Sequence, residues 1–346
     1  LGSTNPTGGI IQVEKPTGAT VRNAYLIAAT IYNATPIADG EVKIDGANVT
    51  WSQRYANNQS GDTYWNHLAD VTSLIKPKID SASAGRVSFN ITEVNTLDVD
   101  GVILAVIFDD PNQPVSNTVI LFFGGQTFEG DVFIIDFEQP LNTSDPNLIL
   151  DFSLGISYGW QGTNQYSIVD VNGVRLSTSA GGQDDSERWL SLSDGALLTV
   201  GGLDDSNANP VDPYASPANN RTDDELYDLL PFISPGDSSV TINTTNPSLD
   251  DNIFFAALFG GSVDARTREA FTLVSNVTTL DDSGFIHLNG TLAEPKNGTI
   301  SLYWTINSSD PFHIVESITN GVFEHDFGFS TGPGIWELYV YWPGDS

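Results

Sequence analysis

Cysteine and methionine are both absent from this chain of 346 residues, and only 13 lysines and arginines stand against 44 aspartates and glutamates. Without cysteine there are no disulfides, no thiolate nucleophile and no Cys-ligated metal, so a chain exposed to an oxidising exterior must be held by size and core packing. The formal net charge of -31 excludes nucleic acid as a partner and disfavours anionic membrane surfaces. The same charge attracts divalent cations and cationic surfaces, and it also keeps an exposed protein soluble. The four histidines, His67, His287, His313 and His325, stand apart without metal-ligand spacing. The longest apolar runs, residues 101–108 and 253–259, fall far short of the roughly 20 residues that cross a bilayer as a helix. No Gly-x-Ser-x-Gly, His-Glu-x-x-His or glycine-rich phosphate loop occurs, and the abundant carboxylates offer no distinguishable catalytic pair, so no catalytic residue is assigned. With Leu1 first and no methionine anywhere, the expectation is a chain whose leader was removed or a mature fragment.

What is present is turn chemistry and short β-rich runs. Hydrophobic residues make up 40% of the chain, with 32 glycines and 18 prolines, and no stretch carries a long 3.6-residue apolar period. Runs rich in Val, Ile, Thr, Tyr and Phe read as strands at residues 9–13, 20–32, 41–44, 86–91, 102–108, 119–123, 132–137, 148–156, 166–171, 197–200, 239–244, 253–259 and 270–277. Further runs follow at residues 284–288, 300–306, 321–327 and 335–342. Asp45-Gly46, Asn172-Gly173 and Asn297-Gly298 are hairpin turns by composition. The expected fold class is all-β, a tandem of jelly-roll-like or immunoglobulin-like sandwiches.

The first half of the sequence echoes in the second. Residues 42–49 match residues 169–176, each a strand, a turn glycine and a strand. Ala69-Asp-Val-Thr-Ser-Leu-Ile-Lys-Pro parallels Tyr227-Asp-Leu-Leu-Pro-Phe-Ile-Ser-Pro, where an Asp opens a short helical turn and a proline closes it. The segments at Val87 and Val102 parallel those at Val240 and Ile253 in the same order, as duplication of one supersecondary plan requires. The expected domains are a sandwich over 1–128, a related one over 129–264, and an immunoglobulin-like unit over 265–346.

Three groups of residues point to function. Asn-x-Ser/Thr sequons occur at Asn33, Asn48, Asn58, Asn90, Asn142, Asn220, Asn243, Asn276, Asn289, Asn297 and Asn307, where chance would give roughly five. This excess predicts export through an N-glycosylating pathway. Calcium is the metal that acidic turns would attract, with Asp98 and Asp100, Asp250, Asp251 and Asn252, and Asp204, Asp205 and Asp212 as candidate ligands. No segment fits the full twelve-residue calcium-loop pattern, and no other cofactor is expected. Ile10, Ile11 and Val13, between a glycine-rich start and Pro16, form a strand suited to pairing with a neighbouring subunit. Trp65 beside Tyr64, and Trp160 among glycines, are either sugar-stacking platforms or packed aromatics.

The ending Trp336-Glu-Leu-Tyr-Val-Tyr-Trp-Pro-Gly-Asp resembles the last strand of immunoglobulin-like repeats in archaeal and bacterial surface proteins. Residues 16–26, Ala69-Asp-Val-Thr-Ser-Leu, and the segments at Asp224 and Asn246 resemble the N-terminal region of large adhesin-like prokaryotic surface proteins. The resemblance implies an extracellular, cell-surface location and a structural or adhesive role. The expected function is a glycosylated subunit of a filament, sheath or S-layer-like array, with identical subunits, other surface proteins or glycans as partners. An adhesin stalk or ligand-binding module is the alternative, and a secreted carbohydrate-active enzyme stands behind both.

Overall fold

A computed structural model describes residues 8–31, 34–59, 62–94, 98–115, 117–127, 130–157, 167–181, 198–214, 225–247, 252–267, 271–275, 285–292, 298–306, 312–328 and 336–341. The chain is all-β and divides into two compact units, Leu1–Ala265 and Arg266–Ser346. No described helix is long and apolar enough to span a membrane.

The first lobe of unit 1 contains β1 (Gly9–Lys15), β2 (Thr20–Thr30), β3 (Val42–Ile44), β4 (Ala47–Asn48), β5 (Gln53–Gln59), β6 (Asp62–Asp70), helix α1 (Thr72–Ser81), β7 (Gly85–Glu93) and β8 (Val99–Asp109). The second contains β9 (Asn117–Phe123), β10 (Val132–Phe137), β11 (Ile149–Ser157), β12 (Ser167–Val171), β13 (Val174–Ala180), β14 (Leu198–Val200), β15 (Leu226–Asp228), a 3-10 turn (Leu230–Phe232), β16 (Ser239–Thr245) and β17 (Asn252–Gly261). The chain leaves the unit through β18 (Ala265–Thr267).

The pairings repeat. In the first lobe the sheets run β1-β7-β3-β4 and β5-β6-β2-β8; in the second, β10-β16-β12-β13 matches the first order, and β14 and β15 beside β11, then β17, match the second. Leu26 lies between Ala69 and Leu104, as Phe152 lies between Tyr227 and Leu258. A bulge falls between Ala29 and Thr30 on β2 and between Gly155 and Ile156 on β11. Asp45-Gly46 and Asn172-Gly173 both take positive φ, the type I′ geometry those pairs favour. In each, the turn side chain accepts a backbone N–H from the next strand, Asn90 N to Asp45 Oδ1 at 2.8 Å and Thr241 N to Asn172 Oδ1 at 2.9 Å.

Period-2 alternation explains how the layers stack. Along β2, Ala24, Leu26 and Ala28 join Val42, Phe89 and Ile91 in the first lobe's core, while Ile27 and Ala29 face the second lobe. Along β11, Leu150, Phe152, Leu154 and Ile156 pack with Val169, Val240 and Ile242. Between the lobes, Ile27, Ala29 and Ile103 meet Leu198, Phe254 and Phe255. Unit 1 is therefore four sheets deep, and β11 and β17 in the middle are almost wholly buried on both faces. That burial is why residues 253–258 read as a continuous apolar run.

Two expectations are revised. β9 lies within the 1–128 segment but pairs with β17 of the second lobe, from Phe255↔Phe123 to Gly261↔Asn117. Pro77 does not close the helical turn, because α1 continues through it to Ser81. Ile75 and Ile79 bury one face of that helix, and Lys15 Nζ donates to the carbonyls of Asp80 and Ala82 at 2.9 Å each, satisfying groups a helix end leaves open. The Asp that opens the turn does recur: Asp70 Oδ1 accepts Thr72 N, and Asp228 Oδ1 accepts Leu230 N, each at 2.9 Å.

Unit 2 has two three-stranded antiparallel sheets. One contains β19 (Phe271–Ser275), β20 (Phe285–Leu292) and β23 (Val322–Gly328); the other contains β21 (Gly298–Ile306), β22 (Phe312–Ile318) and β24 (Trp336–Tyr341). Asn320 and Gly321, both at positive φ, turn the chain from β22 into β23. Leu288, Ile300, Ile318 and Phe323 are buried.

Candidate functional site

The interface between the lobes of unit 1 is closed by buried amides at one end and opens into a cleft at the other. At the closed end Asn252 Nδ2 donates to Asn66 Oδ1 at 2.9 Å and Ser157 Oγ at 3.0 Å, and its Oδ1 accepts from Asn57 Nδ2 at 2.9 Å. Asn57 Nδ2 also reaches the Gln126 carbonyl at 2.9 Å, and Asn66 Nδ2 the Gly124 carbonyl at 2.6 Å. Gln126 extends the network by donating to Thr244 Oγ1 at 3.0 Å and accepting from Ser167 Oγ at 3.2 Å. A Cβ on Gly125 would lie 2.8 Å from Asn66 Nδ2, so a side chain there would displace the amides. Buried and mutually paired, these groups fix one docking of the lobes, because any other arrangement leaves desolvated donors and acceptors.

The open end is a cleft of about 980 Å³. Ile103, Ala105 and Ile107 of β8 line one side; Val119 and Leu121 of β9 with Phe255, Ala257 and Phe259 of β17 line the other. Arg86 bridges the lobes at the surface, pairing with Asp204 and, at 3.6 Å, with Glu14. These groups are exposed, and such pairs contribute little to stability.

His67 lies fully buried in the first lobe beneath Trp51, ring centres 5.2 Å apart. Its Nε2 accepts the Ile37 N–H at 2.9 Å, so the imidazole is neutral with its proton on Nδ1. Burial, then the charge of Arg54, lowers its pKa from 6.5 to about 4. In the unfolded chain His67 takes up a proton near 6.5, so stability is complete above that pH and falls as pH drops toward 4. The shift corresponds to about 3 kcal/mol. Urea unfolding at pH 7 and pH 4.5 is expected to show this loss, and His67→Gln should flatten that part of the profile. An unchanged profile in the variant would assign the acid sensitivity elsewhere.

The calcium candidates that lie among the described residues do not converge. Among the described residues no three or more His, Asp or Glu side chains form a group able to hold a metal ion. The backbone carbonyl of Asp98 accepts Ile31 N at 3.0 Å, and Asp100 is fully buried. Asp204 pairs with Arg86, Asp205 accepts the Gly202 N–H, and Asp212 accepts Tyr214 N at 3.1 Å. Asp250 and Asp251 lie outside the described residues. Asn252 does not sit in an exposed turn; its side-chain oxygen is taken by the interlobe amides. Strand register places Asn252 opposite Ser157.

Five sequon asparagines have described side chains, Asn48, Asn90, Asn142, Asn243 and Asn289, and all five are exposed. Asn57, Asn66, Asn246 and Asn252 are buried, and none of these four begins a sequon. Asn48 and Asn90 lie on the outer sheet of the first lobe and Asn243 on the matching sheet of the second. Asn33, Asn220, Asn276, Asn297 and Asn307 lie outside the described residues, as does the side chain of Asn58.

Ile10, Ile11 and Val13 belong to an edge strand paired within the chain, Ile10↔Asn90, Ile11↔Phe89 and Val13↔Val87. Val13 is buried in the first lobe's core, so donating this strand to a neighbour would break that pairing and open the core. Trp65 is half-buried and Trp160 lies outside the described residues.

Sequence reading did not single out Glu225. Its buried carboxylate accepts Gly181 N and the Tyr227 hydroxyl, each at 2.6 Å. No protein-family model, curated protein or solved structure matches the chain.

Proposed function

We propose that this chain is a glycosylated structural subunit of an extracellular surface assembly. The observation that carries the reading is the division among its described asparagines: every described sequon side chain is exposed, and every asparagine found buried among the described residues lies outside a sequon. Glycosylation needs an accessible acceptor, and a network of buried amides would be destroyed by it. The acidic composition and the duplicated, disulfide-free unit suit a subunit that holds its shape outside the cell. An immunoglobulin-like unit 2 fits the same reading.

Mass spectrometry of protein from its native source tests this. Glycopeptides are expected at Asn48, Asn90, Asn142, Asn243 and Asn289. Recovery of only unmodified peptides across all five sites would sink the reading.

A further inference from the structure

Two sequon asparagines on the outer sheets face aliphatic side chains that water would otherwise surround. Along β1 and β7 the outward pairs are Glu14 with Arg86, 3.6 Å apart, Gln12 with Ser88, hydrogen-bonded at 3.0 Å, and Ile10 with Asn90. The first two pairs are polar on both strands; the third sets an aliphatic residue against an asparagine. On β10 and β16 the same mismatch sets Val132 against Asn243. Ile10 is 64% exposed and Val132 59%, more than any other large aliphatic residue in a described strand. Duplication did not copy one pair into the other. Asn90 corresponds to Thr241, because each donates its backbone N–H to the hairpin turn, at Asp45 and Asn172 respectively, and Asn243 lies two residues further along. The flanks repeat as well: on its other side Asn90 has Asp45, ion-paired with Lys78, and Asn243 has Asp170, ion-paired with Arg175. In unit 2 the exposed Val322 faces Thr291, the last residue of the sequon at Asn289.

We infer that the first sugar linked to Asn90 lies across the strand pair with its C–H face on Ile10, and that the first sugar linked to Asn243 lies in the same way on Val132. The inference rests on the proposed glycosylation and names what these two sugars touch. Directly opposed residues on one face of an antiparallel pair have Cβ atoms about 4.5–5.5 Å apart, so a sugar ring on the asparagine Nδ2 reaches the facing side chain. The ring presents C–H groups on its faces and hydroxyls around its rim. Seated on an aliphatic side chain, it removes apolar surface from water while its hydroxyls stay hydrated. Such a contact is too small to hold a free sugar, but the covalent link supplies a high local concentration of it. The ion-paired aspartate on the far flank offers the C–H face no apolar partner, so the aliphatic side is favoured. The sugars thereby cover the two most water-exposed aliphatic points on the outer strands and add to the stability of the sheets that carry them.

A double-mutant cycle on the full chain, produced in its native source and unfolded in urea, tests the inference at Asn243. Thr245→Ala removes the sequon and leaves Asn243 in place. Val132→Thr removes the apolar contact and keeps a β-branched residue on the strand. With Val132 present, loss of the sugar is expected to lower the folding equilibrium constant about fivefold, as for uncovering roughly 40 Å² of apolar surface. In the Val132→Thr background the same loss should be less than about twofold. Val174→Thr, at another exposed strand position that faces Val171, should leave the fivefold effect unchanged. Glycopeptides from each protein report whether Asn243 is modified. Equal effects of Thr245→Ala with and without Val132→Thr, at a modified Asn243, would overturn the packing and leave the glycosylation reading intact. Disappearance of the effect in the Val174→Thr background would overturn the specific contact with Val132. An Asn243 that carries no sugar in the wild type would overturn the premise as well as the packing.

Discussion

Replacing Asn252 with alanine is expected to lower the unfolding free energy by about 4 kcal/mol, an effect normally reserved for large core truncations. The side chain is small, but Asn66 Oδ1, Ser157 Oγ and Asn57 Nδ2 all depend on it. Those three residues are themselves buried, so each loses a partner without gaining water. An unmet buried donor or acceptor costs about 1–3 kcal/mol, and the bonds that Asn57 and Asn66 keep to the carbonyls of Gln126 and Gly124 hold the sum near the lower end. Urea unfolding measures the change. Asn112→Ala, which removes an exposed contact to the Thr17 carbonyl, should cost about 0.5 kcal/mol or less. Equal costs at the two positions would mean that the amide network does not hold the lobes together.

Gly130→Ala is expected to cost at least about 3 kcal/mol, and Gly46→Ala only about 1 kcal/mol, although both glycines have positive φ. Gly46, at φ 82, has nothing within 4 Å of where a Cβ would stand, so alanine there meets only the left-handed backbone penalty. Gly130, at φ 98, would place its Cβ 1.9 Å from the Thr244 carbonyl oxygen. Relief requires β10 to move away from β16, which opens the second lobe's outer sheet. Thermal or urea unfolding of the two variants separates the effects, and equal costs would show that the chain relaxes freely at residue 130.

The sequence makes the apolar part of this fold legible and hides the polar part. The runs that became β2, β11 and β17 announce themselves because both faces are buried over much of their length, and Asp45-Gly46 and Asn172-Gly173 announce their hairpins through turn chemistry. The β5–β6 hairpin was not legible. Gln53–Gln59, QRYANNQ, has no run of apolar or β-branched residues to mark it as a strand, yet Asn57 is buried because its amide is matched by Asn252 and the Gln126 carbonyl. Partners so distant in sequence leave no local pattern. The same reason concealed Glu225, whose contacts to Gly181 and Tyr227 arise only when strands assemble. The echo between the halves was visible in composition, but the strand that belongs to one half by sequence and to the other by pairing was not. β9 lies where the sequence reads as the end of the first sandwich, and only its register with β17 reveals the exchange.

If the chain builds an ordered structure outside the cell, as proposed, immunogold electron microscopy of native cell surfaces with an antibody to unit 1 should place label along filaments, sheaths or a regular lattice on the exterior. Label confined to the cell interior, or scattered outside with no ordered structure beneath it, would rule that role out.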